Sequence, residues 1–167
     1  SNLVRDILGP VTRKFKTLEE VARIAGTFRR ERTIVAKNGS YDILHAGHID
    51  SFYESKAHGD ILIVGLDSDA SIRKRKGEQR PINKQEDRAK VLCALECLDF
   101  VTLIEDSIAF VEAVKPHVYT NDSDYGINCI EAETVKKNGG KVVIYPKVKG
   151  YSTTDLISKI GSSTEWA

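Results

Sequence analysis

The run DILIVGL, Asp60 to Leu66, narrows what this chain can fold into. Four consecutive branched aliphatic residues, Ile61 to Val64, cannot alternate between core and water. A strand made of them is covered on both faces, as strands of a parallel sheet are. Similar short runs recur at Thr33 to Lys37, Phe100 to Ile104, His117 to Thr120 and Lys141 to Tyr145. Stretches with helical spacing separate them: Ala46 to His58, Lys84 to Cys97, Ile108 to Val114 and Ile130 to Asn138, the last stopped by Gly139-Gly140. A final helix is expected from Thr154 to Ile160. The alternation predicts the α/β class, with an open, mainly parallel five-stranded sheet and helices on both faces. The polar, basic stretch from Ser71 to Asn83 reads as a loop. Leu18 to Phe28 reads as an extra helix laid against the outside. The expected division is a helical extension over residues 1–30 and a main domain over 31–167.

Size and charge then limit the function. A single domain of 167 residues buries roughly 70% of the surface its unfolded chain would expose. Lys and Arg total 25 against 24 Asp and Glu, so the chain lacks the broad basic face of a nucleic-acid binder. No nucleic-acid partner is expected, and any anion has to be held by a local cluster. No apolar run reaches the length of a membrane span, and the polar N-terminus lacks a signal-peptide core. The expectation is a cytoplasmic protein with no membrane partner. Cys93, Cys97 and Cys129 are odd in number and lack metal-site pairing, so they read as buried, reduced core thiols.

In open sheets of this kind the ligand sits beyond the carboxyl ends of the strands, where the strand order reverses. The first strand flanks that point, and it ends in KNGSYDILHAGH, Lys37 to His48. Gly39 permits a sharp exit from the strand, and Gly47 removes a side chain where a phosphate would approach the backbone. A helix opening here aims free N–H groups and its positive dipole end at the crevice. His45 and His48 add donors in its first turn. Histidines can be incidental at a helix start, but this pairing around Ala46-Gly47 makes an anion site the stronger reading.

The pattern G-x-[FY]-D-x-x-H-x-G-H, met by Gly39, Tyr41, Asp42, His45, Gly47 and His48, resembles the hallmark of the cytidylyltransferase-like nucleotidyltransferases. Asp67-Ser68-Asp69-Ala70-Ser71, Lys76-Gly77, Arg80-Pro81-Ile82-Asn83, Glu86-Asp87-Arg88, Gly139-Gly140 and Gly150-Tyr151-Ser152-Thr153-Thr154 are similar to one branch. That branch is the adenylyltransferases of ADP-heptose synthesis, which act on D-glycero-β-D-manno-heptose 1-phosphate in lipopolysaccharide assembly.

The resemblance implies a Rossmann-like fold and a reaction in which an acceptor phosphate attacks the α-phosphorus of an NTP, ATP first, releasing pyrophosphate. Such chemistry depends on positioning and charge neutralisation. His45, His48 and Lys76 are the implied catalytic residues, the imidazoles on transition-state oxygens and Lys76 on the leaving phosphates. Asn38, Gly39, Ser40, Tyr41, Gly47, Arg80, Arg88, Ser152, Thr153 and Thr154 fall to the nucleotide. Arg88 meets either phosphate or a nearby carboxylate, and Ser152 to Thr154 either seat a phosphate or simply cap a helix. Asp42, Asp69, Asn121 and Asp124 fall to the acceptor side, with Asp42 also bracing its turn. Mg2+ is expected to arrive with the triphosphate, with no protein ligand assigned. A homodimer is expected by resemblance.

Two stretches depart from the branch pattern. Lys37-Asn38-Gly39-Ser40-Tyr41-Asp42 stands for Thr-Asn-Gly-Cys-Phe-Asp, and Lys37 is either a new cation near the triphosphate or a strand-end lysine reaching for water. Asn121-Asp122-Ser123-Asp124-Tyr125 stands for Lys-Gly-Gly-Asp-Tyr, which changes the anionic acceptor this edge can hold. The alternatives are a CTP-dependent enzyme acting on glycerol phosphate or another polyol or aminoalcohol phosphate, a nucleotide-binding regulatory module, and an RNA-binding relative of the synthetases.

Overall fold

The computed structural model describes residues 13–122, 126, 128–147 and 150–162. In chain order the elements are α1 (Leu18–Phe28), β1 (Ile34–Gly39), α2 (Ala46–Lys56), β2 (Ile61–Asp67), α3 (Asp69–Lys76), α4 (Gln85–Cys93), β3 (Phe100–Ile104), α5 (Ser107–Val114), β4 (Val118–Asp122), α6 (Ala132–Lys137), β5 (Lys141–Tyr145) and α7 (Thr153–Ser162). The strands lie in the order β3-β2-β1-β4-β5, and every neighbouring pair is parallel. The sheet is the expected Rossmann-like one.

Alternation along the strands splits the core into two layers. Ile34, Ala36, Ile63 and Tyr119 pack against Val21 and Ala25 of α1, Phe110, Val111 and Val114 of α5, and Ala132 and Val135 of α6. Val35, Leu62, Val64 and Leu66 pack the other way, on Phe52 of α2 and on Ala89, Leu92 and Cys93 of α4. Both faces are covered, which is why β2 reads as an unbroken apolar run. All three cysteines are free and buried. α1 begins in a reciprocal cap, Thr17 Oγ1 accepting from the Glu20 amide while the Glu20 carboxylate accepts from the Thr17 amide. Among the described residues no helix is long and apolar enough to cross a membrane.

One element overturns an expectation. The stretch read as a loop from Ser71 is helical as far as Lys76, entered through Ser68, whose Oγ accepts from the Ser71 amide. Ile72 is the only buried residue in DASIRKRK, so the helix carries no apolar stripe that patterning could detect.

The crevice follows from the pairing of the two central strands. β1 pairs with β2 along its whole length, from Ile34 to Gly39, but with β4 only at Val35–Val118 and Ala36–Tyr119. Past Ala36 these two strands share no ladder. The chain winds outward in opposite directions from this point, so their carboxyl ends border an opening.

Phe110 is fully buried at the centre of the α1–α5 layer. Phe110→Ala is expected to lower the unfolding free energy by about 3–5 kcal/mol, read from denaturant titration.

Candidate active site

Gly39 ends β1, and two residues later Tyr41 takes a left-handed backbone, φ 47°. The turn folds the Tyr41 ring back over Gly39, where an added Cβ would lie 3.0 Å from the ring. The ring packs on Phe52 and meets His48 edge-on, with centroids 5.6 Å apart. Tyr41 is thus a buried wall behind His48. Burial pushes its phenol pKa up, which keeps it neutral.

His45 is the N-cap of α2, and His48 lies one turn in. Their rings stack with centroids 3.9 Å apart. The His45 amide donates to His48 Nδ1 at 3.3 Å, which leaves the proton of a neutral His48 on Nε2. Burial, and then the charge of His45, lowers the His48 pKa to about 4. Burial and Lys147 lower that of His45. At neutral pH both imidazoles are therefore uncharged donors. Gly47 between them has no room for a side chain, since a Cβ there would meet Tyr151 Cβ at 2.9 Å and the His45 ring at 3.0 Å.

A second helix start meets the first. Ser152 Oγ accepts from the Asp155 amide at the head of α7, and Thr153 Oγ1 donates to the Ile43 carbonyl just before α2. The positive ends of α2 and α7 thereby border one cavity of about 210 Å³, which His45, Gly47, His48 and Ser152 to Thr154 line. A larger cavity of about 850 Å³ runs past Asn38 to Asp42, Asp67, Asn121 and Glu131. His48, Lys76, Arg80, Asp122, Lys147 and Thr153 line both. The two chambers therefore share a wall rich in donors and cations. Partial burial, followed by the charges of Arg80 and Arg75, lowers the Lys76 pKa.

The structure brings most of the expected residues to these chambers and corrects two. Arg88 was grouped with the nucleotide residues, with a carboxylate as its alternative partner, and the structure takes the alternative: its side chain is buried within the protein. Nε donates to the Asn83 carbonyl, one terminal nitrogen to the carbonyls of Ser40 and Asp67, and the other to Asp69 Oδ1 at 2.7 Å. That pairing also takes Asp69 away from the acceptor, and neither residue lines a chamber. Asp42 lines the larger chamber, yet its carboxylate accepts from the amides of Ile82 and Asn83 and sits 3.4 Å from Arg80 Nε. Asn121 lines the larger chamber with its Oδ1 turned to the Asp122 amide. Asp124 lies outside the described residues.

Comparison with known proteins fits this geometry. The family model for cytidylyltransferase-like proteins matches residues 37–158. The chain belongs to the cytidylyltransferase-like family. It is 38% identical over 151 residues to the bifunctional protein HldE of Geobacter sulfurreducens, covering 88% of this chain and 31% of that protein. It is 42% identical over 149 residues to HldE of Wolinella succinogenes, covering 87% and 31%. The chain thus spans about a third of the length of these curated relatives. A crystal structure of the lipopolysaccharide core biosynthesis protein from Thermoplasma volcanium superposes with a TM-score of 0.60 at 31% identity, covering 72% of this chain and 99% of that one. A pantoate-beta-alanine ligase from Francisella tularensis, 14% identical, shares the fold with a TM-score of 0.59 over 86% of this chain and 75% of its own.

In this family member, reading the sequence gave no site role to Asp67, Arg75 or Lys147. Asp67 ends β2 and accepts from Arg75 at 2.6 Å and from Ser40 Oγ at 3.3 Å. Its position past a buried strand on the ligand side was the available signal. Lys147 follows the end of β5 and lines both chambers.

Two expectations follow. Arg88→Met is expected to cost about 3–5 kcal/mol of unfolding free energy, because it leaves Asp69 and three carbonyls without their donor. Thermal and denaturant unfolding measure this. The second concerns pH. The His48 pKa of about 4 lies below its ordinary 6.5, so the unfolded chain takes the proton more readily. The stabilisation is full above pH 6.5 and declines as pH falls towards 4. His48→Gln is expected to flatten that part of the stability–pH curve.

Proposed function

We propose that this chain transfers AMP from ATP to a heptose 1-phosphate in the cytoplasm, releasing pyrophosphate. The observation that carries the reading is the shared wall. His48, Lys76, Arg80, Lys147 and Thr153 border both a small chamber at two helix N-termini and a larger chamber of about 850 Å³. The triphosphate lies in the small chamber over the amides of α2 and α7. The hydroxylated body of the acceptor lies in the larger one, where Asn121, Asp67 and Glu131 supply acceptors. Its phosphate faces the shared wall, in line with the α-phosphorus. The acceptor's phosphate oxygen bonds to that phosphorus as the bond to the pyrophosphate oxygen breaks.

The protein's own contribution is electrostatic. His45 and His48 donate to the oxygens of the reacting phosphate, and Lys76 and Arg80 neutralise the departing pyrophosphate. No proton need leave the acceptor, because a phosphate is already an anion at neutral pH. Among the described residues no group of three or more His, Cys, Asp or Glu could hold a metal ion. A magnesium ion arriving with the triphosphate would supply further charge neutralisation. The HldE relatives and the lipopolysaccharide-core protein of Thermoplasma volcanium support the choice of acceptor.

The test is pyrophosphate release across ATP and CTP, each with heptose 1-phosphate and with glycerol phosphate. ATP with heptose 1-phosphate is expected to lead, and CTP with glycerol phosphate leading would replace this reading with a polyol cytidylyltransferase. His48→Ala is expected to lower kcat by about 10²-fold with little change in ATP affinity. Near-normal turnover in that variant would remove the mechanism.

A further inference from the structure

Lys37 has no part in the mechanism above, although it belongs to the crevice. It lies on β1 just past the last pairing with β4, opposite Val64 of β2, and is 3% exposed. Its Nζ donates to Asp122 Oδ1 at 3.3 Å, at the end of β4. An ammonium has three donors, and Asp122 is its hydrogen-bond partner among the described residues. Lys37 lines the small chamber beside His45 and His48. Asp122 lines both chambers, and its side chain is 43% exposed against 4% for Lys37. The pair is therefore lopsided: the cation is fixed in the wall, and the anion can turn into solvent or the larger chamber.

A buried ammonium needs an anion, and a carboxylate beside a phosphate site repels the phosphate. Both conditions are met if the two anions take turns. Resting on the assignment of the triphosphate to the small chamber, we propose that Lys37 is a further phosphate-binding residue, held in reserve by Asp122. When the polyphosphate enters, the Lys37 ammonium exchanges the Asp122 carboxylate for a phosphate oxygen. Asp122 then turns away along the shared wall. The two departures from the branch pattern, a lysine at position 37 and an aspartate at 122, are then one device.

The experiment is calorimetric titration of the chain with inorganic pyrophosphate, using wild type, Lys37→Met and Asp122→Asn. The exchange predicts effects of opposite sign. Lys37→Met weakens binding by about 10-fold or more, and Asp122→Asn strengthens it by about 3-fold or more. A merely structural pair predicts that both variants weaken binding or that neither changes it. Unchanged or weaker binding by Asp122→Asn overturns the proposal, and this variant decides alone if Lys37→Met does not fold. Pyrophosphate titration requires neither ATP nor the sugar. A wild type that binds pyrophosphate with the predicted variant pattern, yet transfers no AMP, refutes the function proposed above and leaves this inference standing. A wild type that transfers AMP while Asp122→Asn leaves pyrophosphate affinity unchanged refutes this inference alone. A wild type that binds no pyrophosphate overturns this inference, while AMP transfer still decides the function proposed above.

Discussion

The geometry of the crevice depends on one buried guanidinium. Arg88 reaches from α4 to Ser40 just past β1, the end of β2 at Asp67, the start of α3 at Asp69 and the loop at Asn83. A charge with 0% side-chain exposure is tolerable only with its donors met, and one carboxylate and three carbonyls do this. Asp42 grips the same loop from the other side through the amides of Ile82 and Asn83. Between them these two residues fix the turn that gives Tyr41 its left-handed backbone. The Tyr41 ring then backs His48. The His48 imidazole on the wall shared by the two chambers is therefore located by a residue two contacts away.

The same economy governs charge at the site. Two helix N-termini supply partial positive charge that needs no side-chain ordering. Lys37, Lys76, Arg80 and Lys147 already bring formal cations to the small chamber. Two further imidazolium ions would repel these cations and each other. Stacking at 3.9 Å and burial instead hold the histidines neutral, with the His48 proton directed outward on Nε2. A neutral donor follows charge as it shifts between oxygens without binding the ground-state anion more tightly.

These relations explain which parts could be seen in the sequence. β3, β5 and α1 have the bounds expected of them because each is a contiguous run with its own periodicity and stop. KNGSYDILHAGH was equally legible, since strand end, turn and helix start are consecutive. α3 was missed because a helix held by caps and a single buried isoleucine leaves no stripe. Asp69 was misassigned, and Arg88 left between phosphate and a carboxylate, for a different reason. Their pairing spans nineteen residues, and a cation near a phosphate motif looks the same in sequence whether it faces inward or outward. Lys37 was ambiguous for the same reason, because its partner lies eighty-five residues away on β4. Short-range order was readable; which long side chain met which strand end was not.

On the proposed function, the larger chamber selects by repulsion as much as by contact. Asp67, Glu105, Asp106, Asp122 and Glu131 all line it, while its cations Lys76, Arg80 and Lys147 lie on the shared wall and Lys74 and Arg75 on α3. Arg75 is already engaged with Asp67, and burial still pushes that carboxyl's pKa up, so the charge there is only partly offset. A ligand with one phosphate and a neutral, hydroxyl-rich body can satisfy both ends, with phosphate at the shared wall and hydroxyls donating to carboxylates. A second phosphate or a carboxylate on the distal end would meet these carboxylates, with Lys74 and Arg75 on α3 the cations away from the shared wall. Unfavourable placement of the wrong ligand contributes to selectivity as directly as favourable contact with the right one. On this account the chamber distinguishes sugar monophosphates from bisphosphates and acidic sugars by charge, and leaves finer choice among neutral sugars to hydroxyl geometry.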